Sequence, residues 1–314
     1  MATIDDLMRE AYSRWDDAKT LSRVGRELHG RTRLEAAREI LARAVELAPA
    51  DWEAWEALGY SWLRGFENEK GLAALREGVR ATGSDYIKGV LSGFTEDKDE
   101  AAKLKEEIAD TTDPAAKAGN LWSRLHEGEA EEALTAMRVL REEHPANEDV
   151  RDNYLWMLIS AKRQGVAGVD PVGEGLPICD EMIEKEPDSI GGHMMKVNLL
   201  NAVENWDGVL AATADALANI PDEETVMLFR GRAFREKGDE ERAAIWFSRA
   251  IGAKPTFAGA RVDLGKLFEK QGKLELAEET FREIPEANPG YPVGPMSIAL
   301  FCARQGRLDE GEKI

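Results

Sequence analysis

The chain has 314 residues, and 43% of them are hydrophobic, which is enough apolar material for a substantial core. Its 60 acidic and 41 basic side chains leave a net charge of −19 at pH 7, which argues against broad binding of nucleic acid or anionic membranes. The only two cysteines, Cys179 and Cys302, lie far apart in apolar stretches, which excludes a disulfide framework. This cysteine usage fits a reducing compartment, and we expect a cytoplasmic protein.

The N-terminal segment, residues 1–17, predicts one extra helix before the rest of the chain. Leu7, Ala11 and Trp15 are spaced by four, the period of an amphipathic helix over residues 4–18. The segment carries acids where a secretory signal needs bases, and no charge-free run approaches the roughly eighteen residues of a membrane helix. We expect the helix to cap the array that follows, without insertion into a membrane.

A period of about thirty-four residues dominates the remainder, residues 18–314. Two segments align without gaps at this offset, each with Ala, a Phe four residues later and a Pro eight residues after the Phe: Ala243, Phe247, Pro255 and Ala277, Phe281, Pro289. The units end at recurring prolines and one glycine, which are Pro49, Gly83, Pro114, Pro145, Pro187, Pro221, Pro255 and Pro289. These units must stack, because none can bury its apolar face alone.

Each unit has two parts of helical period joined by a short turn. In the unit that ends at Pro255, residues 227–234 and 242–253 have apolar side chains at i, i+3, i+4 and i+7. Between them, Gly238 suits a helix C-terminus and Asp239 can cap the next helix. The pattern therefore predicts a pair of antiparallel helices in every unit.

One interval is longer than the others, since Pro145 and Pro187 are forty-two residues apart, one period plus eight. The extra residues fall at about 164–177, a stretch with four Gly and two Pro. This composition predicts an exposed loop beside or between the two helices of that unit. Both a neutral surface loop and a decorated binding face fit such an insertion.

The C-terminal unit has a predicted first helix at about 293–303, but its second helix breaks off at Ile314 after less than three turns. A repeat array needs a polar terminal helix over its last apolar face, so we expect this face to be partly open. Either the natural chain continues beyond Ile314, or another molecule covers the face, which would allow self-association.

These residues resemble the tetratricopeptide repeat, whose pattern has Leu and Gly at positions 7 and 8, aromatics at 11 and 24, Ala at 20 and 27, and Pro at 32. The clearest copies consist of Gly231, Phe234, Ala243, Phe247, Ala250, Pro255 and of Leu264, Gly265, Phe268, Ala277, Phe281, Pro289. The resemblance is weaker between about 86 and 220. It implies an all-α fold, a right-handed α-solenoid superhelix of about eight antiparallel helix pairs plus a truncated ninth.

The pattern also assigns packing roles to small and large residues. Glycine at position 8, such as Gly231, should let helices of adjacent units approach closely, while aromatic rings fill the space beside small alanines. The aromatic side chains expected in the core are Trp55, Trp62, Phe234, Phe247, Phe268 and Phe281.

The resemblance further implies that the first helix of each unit lines a concave groove through its positions 2, 5, 6, 9, 12 and 13. In the first, second and fifth units these positions are mostly charged, and they include Lys19, Arg23, Arg26, His29, Glu53, Glu56, Asp149 and Asp152. The candidate partner-binding residues are Tyr60, Asn153, Trp156, Met194, Met195, Asn198, Asn201, Arg232, Arg235, Lys266 and Lys270. We expect the last four, the basic strip, to hold an acidic or carboxylate-bearing segment beside adaptable methionines.

No pattern for chemistry accompanies the repeats. The four histidines lie in separate units without a second ligand at metal-binding spacing, and the glycines at 165–175 lack the Gly-Lys-Ser/Thr of a phosphate loop. We therefore expect no enzyme activity, no cofactor and no metal. The leading hypothesis is a protein-binding scaffold or adaptor. The alternatives are the recruiting or regulatory arm of an enzyme or larger complex, and a self-assembling structural protein.

Overall fold

The computed structural model describes residues 3–31, 33–287 and 293–311. Over these ranges the chain forms nineteen α-helices and no β-strand, which confirms the all-α class. It divides into an N-terminal half, Met1–Ala161, and a C-terminal half, Lys162–Ile314. None of the helices in the described ranges combines the length and apolarity needed to cross a membrane.

The N-terminal half contains one leading helix and then helices that pack in consecutive pairs. Its helices are α1 (Ile4–Ser13), α2 (Ala18–Gly30), α3 (Leu34–Leu47), α4 (Trp52–Arg64), α5 (Asn68–Thr82), α6 (Asp85–Phe94), α7 (Lys98–Glu107), α8 (Pro114–His126), α9 (Ala130–Glu143) and α10 (Glu148–Arg163). Helix α1 packs on α2, and the pairs are α2 with α3, α4 with α5, α6 with α7 and α8 with α9. The first helices of neighbouring pairs also touch, α2 with α4 and α6 with α8.

The C-terminal half continues the pairing. Its helices are α11 (Pro171–Lys185), α12 (Ile190–Ala202), α13 (Trp206–Asn219), α14 (Glu224–Glu236), α15 (Glu240–Ala253), α16 (Ala258–Lys270), α17 (Leu274–Ala287), α18 (Val293–Arg304) and α19 (Leu308–Gly311). Helices α12 and α13, α14 and α15, α16 and α17, and α18 and α19 are in contact, and α14 touches α16. The Arg304 guanidinium donates twice to the Glu269 carboxylate, at 2.9 and 2.8 Å, which ties α18 to α16.

Side chains cap helix starts both between pairs, as at α4, and within a pair, as at α15. The Asp51 and Asp239 carboxylates accept the backbone N–H of Ala54 at 3.1 Å and of Arg242 at 3.0 Å, and each satisfies a donor that the helix leaves free. Gly238 has a φ of 79°, a left-handed conformation that glycine adopts without strain. The predicted helix–turn–helix unit is confirmed in α14 and α15.

Glycine at position 8 brings together the two helices of one pair. A Cβ added to Gly231 in α14 would lie 2.6 Å from the ring of Phe247 in α15, and one added to Gly265 would lie 2.6 Å from the ring of Phe281. The expectation that this glycine joins adjacent units is therefore wrong. Any residue other than glycine at position 8 would place its own side chain in this space. Glycine therefore leaves room for the large side chain of the second helix.

The predicted aromatic core is confirmed for half of its members. Three rings have exposed fractions of 6%, 0% and 1%, and these belong to Phe234, Phe247 and Phe281. Trp55, Trp62 and Phe268 are half-buried and pack against the edges of the core clusters. The outer face of Trp62 is covered by the Arg38 guanidinium, 4.3 Å from the ring centroid.

The helix predicted over residues 4–18 is shorter in the structure, because α1 ends at Ser13. Trp15 lies in the turn between α1 and α2, and the Asp17 carboxylate accepts the backbone N–H of Thr20 at 3.3 Å to start α2. The cap thus overrides the apolar spacing that continues to Trp15.

The insertion is a loop over only half of its predicted length. Residues 164–170 form turns, but α11 begins at Pro171, so the prediction of an exposed loop is wrong for residues 171–177. Asp170 caps this helix by accepting the N–H of Gly173 at 2.9 Å, and Pro171 occupies a first-turn position that needs no N–H donor.

The predicted unit ends fall at different places relative to the helices. Turns between helices contain the marks Pro49, Pro145, Pro187, Pro221 and Pro255. Pro114 instead begins α8, and Gly83 caps α5 in a left-handed conformation with a φ of 65°. Pro289 and residues 312–314 lie outside the described residues.

Replacing Gly231 with Ala is expected to destabilise the protein by about 1–3 kcal/mol, because the added methyl group overpacks the buried Phe247 ring. The matched control is Gly252→Ala in α15, where a Cβ meets open space. There the higher helix propensity of alanine should leave stability unchanged or raise it by up to about 1 kcal/mol. Urea denaturation measures both effects, and equal stability of the two variants would contradict the assigned contact.

Candidate functional site

The first helices of the N-terminal half carry acidic and aromatic side chains on one face. Glu53, Glu56 and Tyr60 are spaced by three and four along α4, so they point to the same side of the helix. The Tyr86 hydroxyl of α6 donates to Glu56 Oε1 at 3.0 Å, and the ring of Trp52 lies 5.0 Å from that of Tyr86. The contact brings α4 and α6 to a common surface.

Exposed aromatic rings extend this surface. Phe94, at the end of α6, packs edge-on against Tyr60 with ring centroids 5.6 Å apart, yet 46% of it is exposed. Trp156 of α10 is 42% exposed and lies one and two helical turns after Asp152 and Asp149. We define the acid–aromatic face as Glu53, Glu56, Tyr60, Tyr86, Phe94, Asp149, Asp152 and Trp156.

Burial and neighbouring charges make the carboxyls of this face costly to ionise. Burial is the main cause that raises the pKa of Glu56 to about 7, although the hydrogen bond from Tyr86 lowers it. The charges of Asp149 and Glu53 contribute to the rise. The pKa of Asp149 is raised to about 6, first by burial and then by Asp152 and Glu53. These mutual effects place Asp149 of α10 within electrostatic range of α4.

Polar contacts occupy the predicted groove positions at the junction of α2 and α4. His29 Nδ1 lies 2.8 Å from Ser61 Oγ, and the other ring nitrogen lies 3.4 Å from the Arg64 guanidinium. Burial, together with the charge of Arg64, lowers the pKa of His29 to about 4, so the ring is neutral at pH 7. Arg26 forms an ion pair with Glu53. The structure thus brings these residues together as partners of one another.

The arginines of the basic strip are neutralised within the C-terminal half. Arg232 Nε and Arg235 Nη1 donate to the two carboxylate oxygens of Asp263, at 2.5 and 3.0 Å. Asp263 lies on α16 and is buried, with 7% of its surface exposed. The two arginines of α14 therefore do face the first helix of the next pair, but they already hold a carboxylate there.

The lysines of the strip differ from each other. Lys270 Nζ lies 2.7 Å from Glu240 Oε1 at the start of α15. Lys266 is exposed, and no carboxylate of the described residues forms an ion pair with it. Lys266 is consequently the strip's most available cation. Across the described ranges, no group of three or more His, Cys, Asp and Glu side chains is placed to hold a metal ion.

The methionine and amide candidates are less accessible than predicted. Met195 is buried with 7% of its surface exposed, because α12 packs on α11 and on α13, so it offers little surface to an apolar anchor. Three other candidates are half-buried, and these are Met194, Asn198 and Asn201. The Asn153 amide donates to the backbone oxygen of Asp149 at 2.9 Å, within its own helix.

Sequence reasoning misses Tyr86, Phe94 and Asp263. Asp263 occupies position 6 of its repeat, so the groove rule itself could have found it. Tyr86 and Phe94 lie on α6. Helices α6 and α7 have only ten residues each, and the repeat pattern is weak in this region. No register was available there to place Tyr86 and Phe94.

Residues 25–86 and 198–258 match the tetratricopeptide repeat family. Among solved structures, a tetratricopeptide repeat protein from Parabacteroides merdae ATCC 43184 is 16% identical, with 90% of this chain and 98% of that chain covered and a TM-score of 0.47. A thermophilic TPR protein of Thermus thermophilus is 18% identical, with 60% and 97% covered and a TM-score of 0.44. Human IFIT1, solved as a dimer with m7Gppp-AAAA, is 15% identical, with 99% and 71% covered and a TM-score of 0.46.

No curated protein matches this sequence. The paired helices and the two matched segments confirm the resemblance to tetratricopeptide repeats that the repeat pattern indicates.

Replacing Glu56 with Gln is expected to stabilise the protein more at pH 8 than at pH 5. The fold raises the pKa of Glu56 from 4.5 to about 7, so the folded state binds this proton more tightly than the unfolded chain does. The stabilisation that comes from this tighter proton binding is fully present below pH 4.5, and it is lost as the pH rises through 7. The amide avoids that loss and can still accept from Tyr86, so we expect a gain on the order of 1–3 kcal/mol at pH 8.

Urea denaturation of the wild type and of Glu56→Gln at pH 5, 6, 7 and 8 measures this difference. Glu106→Gln, an exposed carboxylate of α7, is the matched control and should follow the wild-type pH profile. Parallel profiles for Glu56→Gln and the wild type would show that the fold does not oppose ionisation of Glu56.

Proposed function

We propose that this protein is a non-catalytic scaffold whose acid–aromatic face binds a segment of a partner protein. Tetratricopeptide repeats in general support protein interaction, and the face lies on α4 and α6, the first helices of two pairs, and on α10. The observation that carries the proposal is the exposure of Phe94 and Trp156 beside carboxyls that the fold keeps half-buried. An exposed apolar surface of this kind, rimmed by polar groups, is typical of an interaction site.

The chemistry of the face fits a segment that has Lys or Arg next to an apolar side chain. A cation near Glu56 and Asp149 would stabilise their ionised forms, which burial opposes. The rings of Phe94 and Trp156 would remove apolar surface of the partner from water and could hold the cation over a ring face. The net charge of −19 would attract such a segment over a long range at low salt.

The basic strip is a second candidate surface, suited to an acidic segment. We propose Lys266 as its main contact, because it is exposed and no described carboxylate pairs with it. An incoming carboxylate at Arg232 or Arg235 would have to compete with Asp263. This competition favours the acid–aromatic face as the primary partner surface.

A peptide array tests the proposal. Its peptides come in matched pairs that contain a Leu and differ only in the residue beside it, which is Lys in one member and Glu in the other. We expect the Lys members to bind, and to bind more weakly as salt screens the carboxylates. Trp156→Ala and Phe94→Ala should each weaken binding by about tenfold or more, as loss of a central aromatic contact does. The control Phe66→Ala removes a ring that is 54% exposed in the turn after α4, and it should bind like the wild type.

Binding is measured by fluorescence anisotropy with each selected peptide, after circular dichroism has verified that the variants are folded. If Trp156→Ala and Phe66→Ala bind alike, the acid–aromatic face is not the binding surface. If the Glu members bind instead and Lys266→Glu abolishes their binding, the basic strip is the partner surface.

A further inference from the structure

Three guanidinium groups of the C-terminal half form a ladder with two aromatic rings. The Arg230 Cζ atom lies 4.9 Å from the ring centroid of Trp246 and 5.5 Å from that of Phe234. Arg249 lies 4.6 Å from the Trp246 centroid, and Arg242 lies 4.6 Å from the Phe234 centroid. Helices α14 and α15 thus place three cations around two rings, and Arg230 contacts both rings.

The ladder has more positive charge than its carboxylates compensate. Arg242 pairs with Asp239, whose Oδ2 accepts from Nε at 2.6 Å. Within the described residues neither Arg230 nor Arg249 forms an ion pair with a carboxylate. Three positive charges and one paired carboxylate leave a local excess of two. This excess is unusual in a chain with a net charge of −19, whose other arginines mostly have acidic partners.

Hydrogen bonds hold the Arg230 guanidinium in place, but they do not use all of its donors. Its Nη1 donates to the backbone oxygen of Leu210 at 2.5 Å and to Thr213 Oγ1 at 3.1 Å, both on α13. Its Nε is buried and has no hydrogen-bond partner among the described residues. Burial, followed by the charges of Arg242 and Arg249, lowers the pKa of this guanidinium. The surrounding groups therefore oppose its charge, and an anion would relieve that opposition.

We propose that Arg230, Arg242 and Arg249 bind a phosphoryl group. A phosphoryl group carries a charge of about −1.5 to −2 at pH 7 and three acceptor oxygens, which match the excess charge and the planar donors of guanidinium groups. Arg242 and Arg249 are exposed, so the group can approach from solvent. The site is separate from the basic strip, because Arg230 and Arg232 are two positions apart on α14 and point roughly 200° away from each other.

The phosphoryl group could come from free phosphate or from a phosphorylated partner. The probes are inorganic phosphate, a short Gly/Ser peptide with one phosphoserine, and the same peptide without phosphate, each added with chloride to equal ionic strength. Calorimetry gives the affinities, and thermal unfolding gives the rise of Tm with each probe. We expect phosphate and the phosphopeptide to bind and the unphosphorylated peptide not to bind.

The test variant is Arg249→Gln, which removes an exposed cation without a described hydrogen bond. Its affinity for phosphate should fall about tenfold, the effect of losing one charge-assisted hydrogen bond. The control Arg282→Gln removes an exposed arginine of α17 that pairs with Glu278, and its affinity should stay at the wild-type value. A purely structural role of Arg249 would lower Tm but would leave the rise of Tm with phosphate unchanged.

The ¹⁵N signal of Arg230 Nε gives a direct readout, since phosphate should shift it in the wild type and not in Arg249→Gln. Tighter binding of the phosphopeptide than of phosphate would identify a phosphorylated partner, whereas equal binding would identify the free anion. The proposal is overturned if phosphate acts no differently from chloride, or if Arg249→Gln binds it like the wild type.

Discussion

The contact between a glycine on the first helix and a large side chain on the second is the constraint on which the rest of the structure depends. It recurs in four pairs: Gly25 with Leu41, Gly59 with Leu75, Gly231 with Phe247, and Gly265 with Phe281. Because this contact turns one side of the first helix toward its partner, the other side is left for neighbouring pairs and for solvent. Helix α4 of the acid–aromatic face and helices α14 and α16 of the basic strip are oriented in this way.

The acid–aromatic face and the proposed phosphoryl site both hold charges that the fold itself opposes. Burial makes Glu56 and Asp149 costly to ionise, and burial and like charge act against the guanidinium of Arg230. Groups of this kind reduce stability unless something else compensates them. A repeat array can tolerate them because its stability is spread over many similar contacts between neighbouring helices.

The regular features of this protein could be predicted from the sequence because they depend on nearby residues. The turn at Gly238 and Asp239 and the two helices it joins follow from local spacing and capping. Pro171 misled the prediction, since a proline that suggests a loop is equally suited to the first turn of a helix. The groove rule places Asp263 on the inner face, but its pairing with Arg232 and the exposure of Phe94 could not be foreseen, because both depend on which helices lie side by side.

The pairing of Arg232 and Arg235 with Asp263 also has a mechanical consequence. One buried carboxylate on α16 accepts hydrogen bonds from two arginines one turn apart on α14. Sliding or twisting between these helices would therefore break two charge-assisted hydrogen bonds at once. Helices α14 to α17 should therefore move as one stiff segment. Any bending of the C-terminal half would be concentrated at junctions where no such double hydrogen bond joins neighbouring helix pairs.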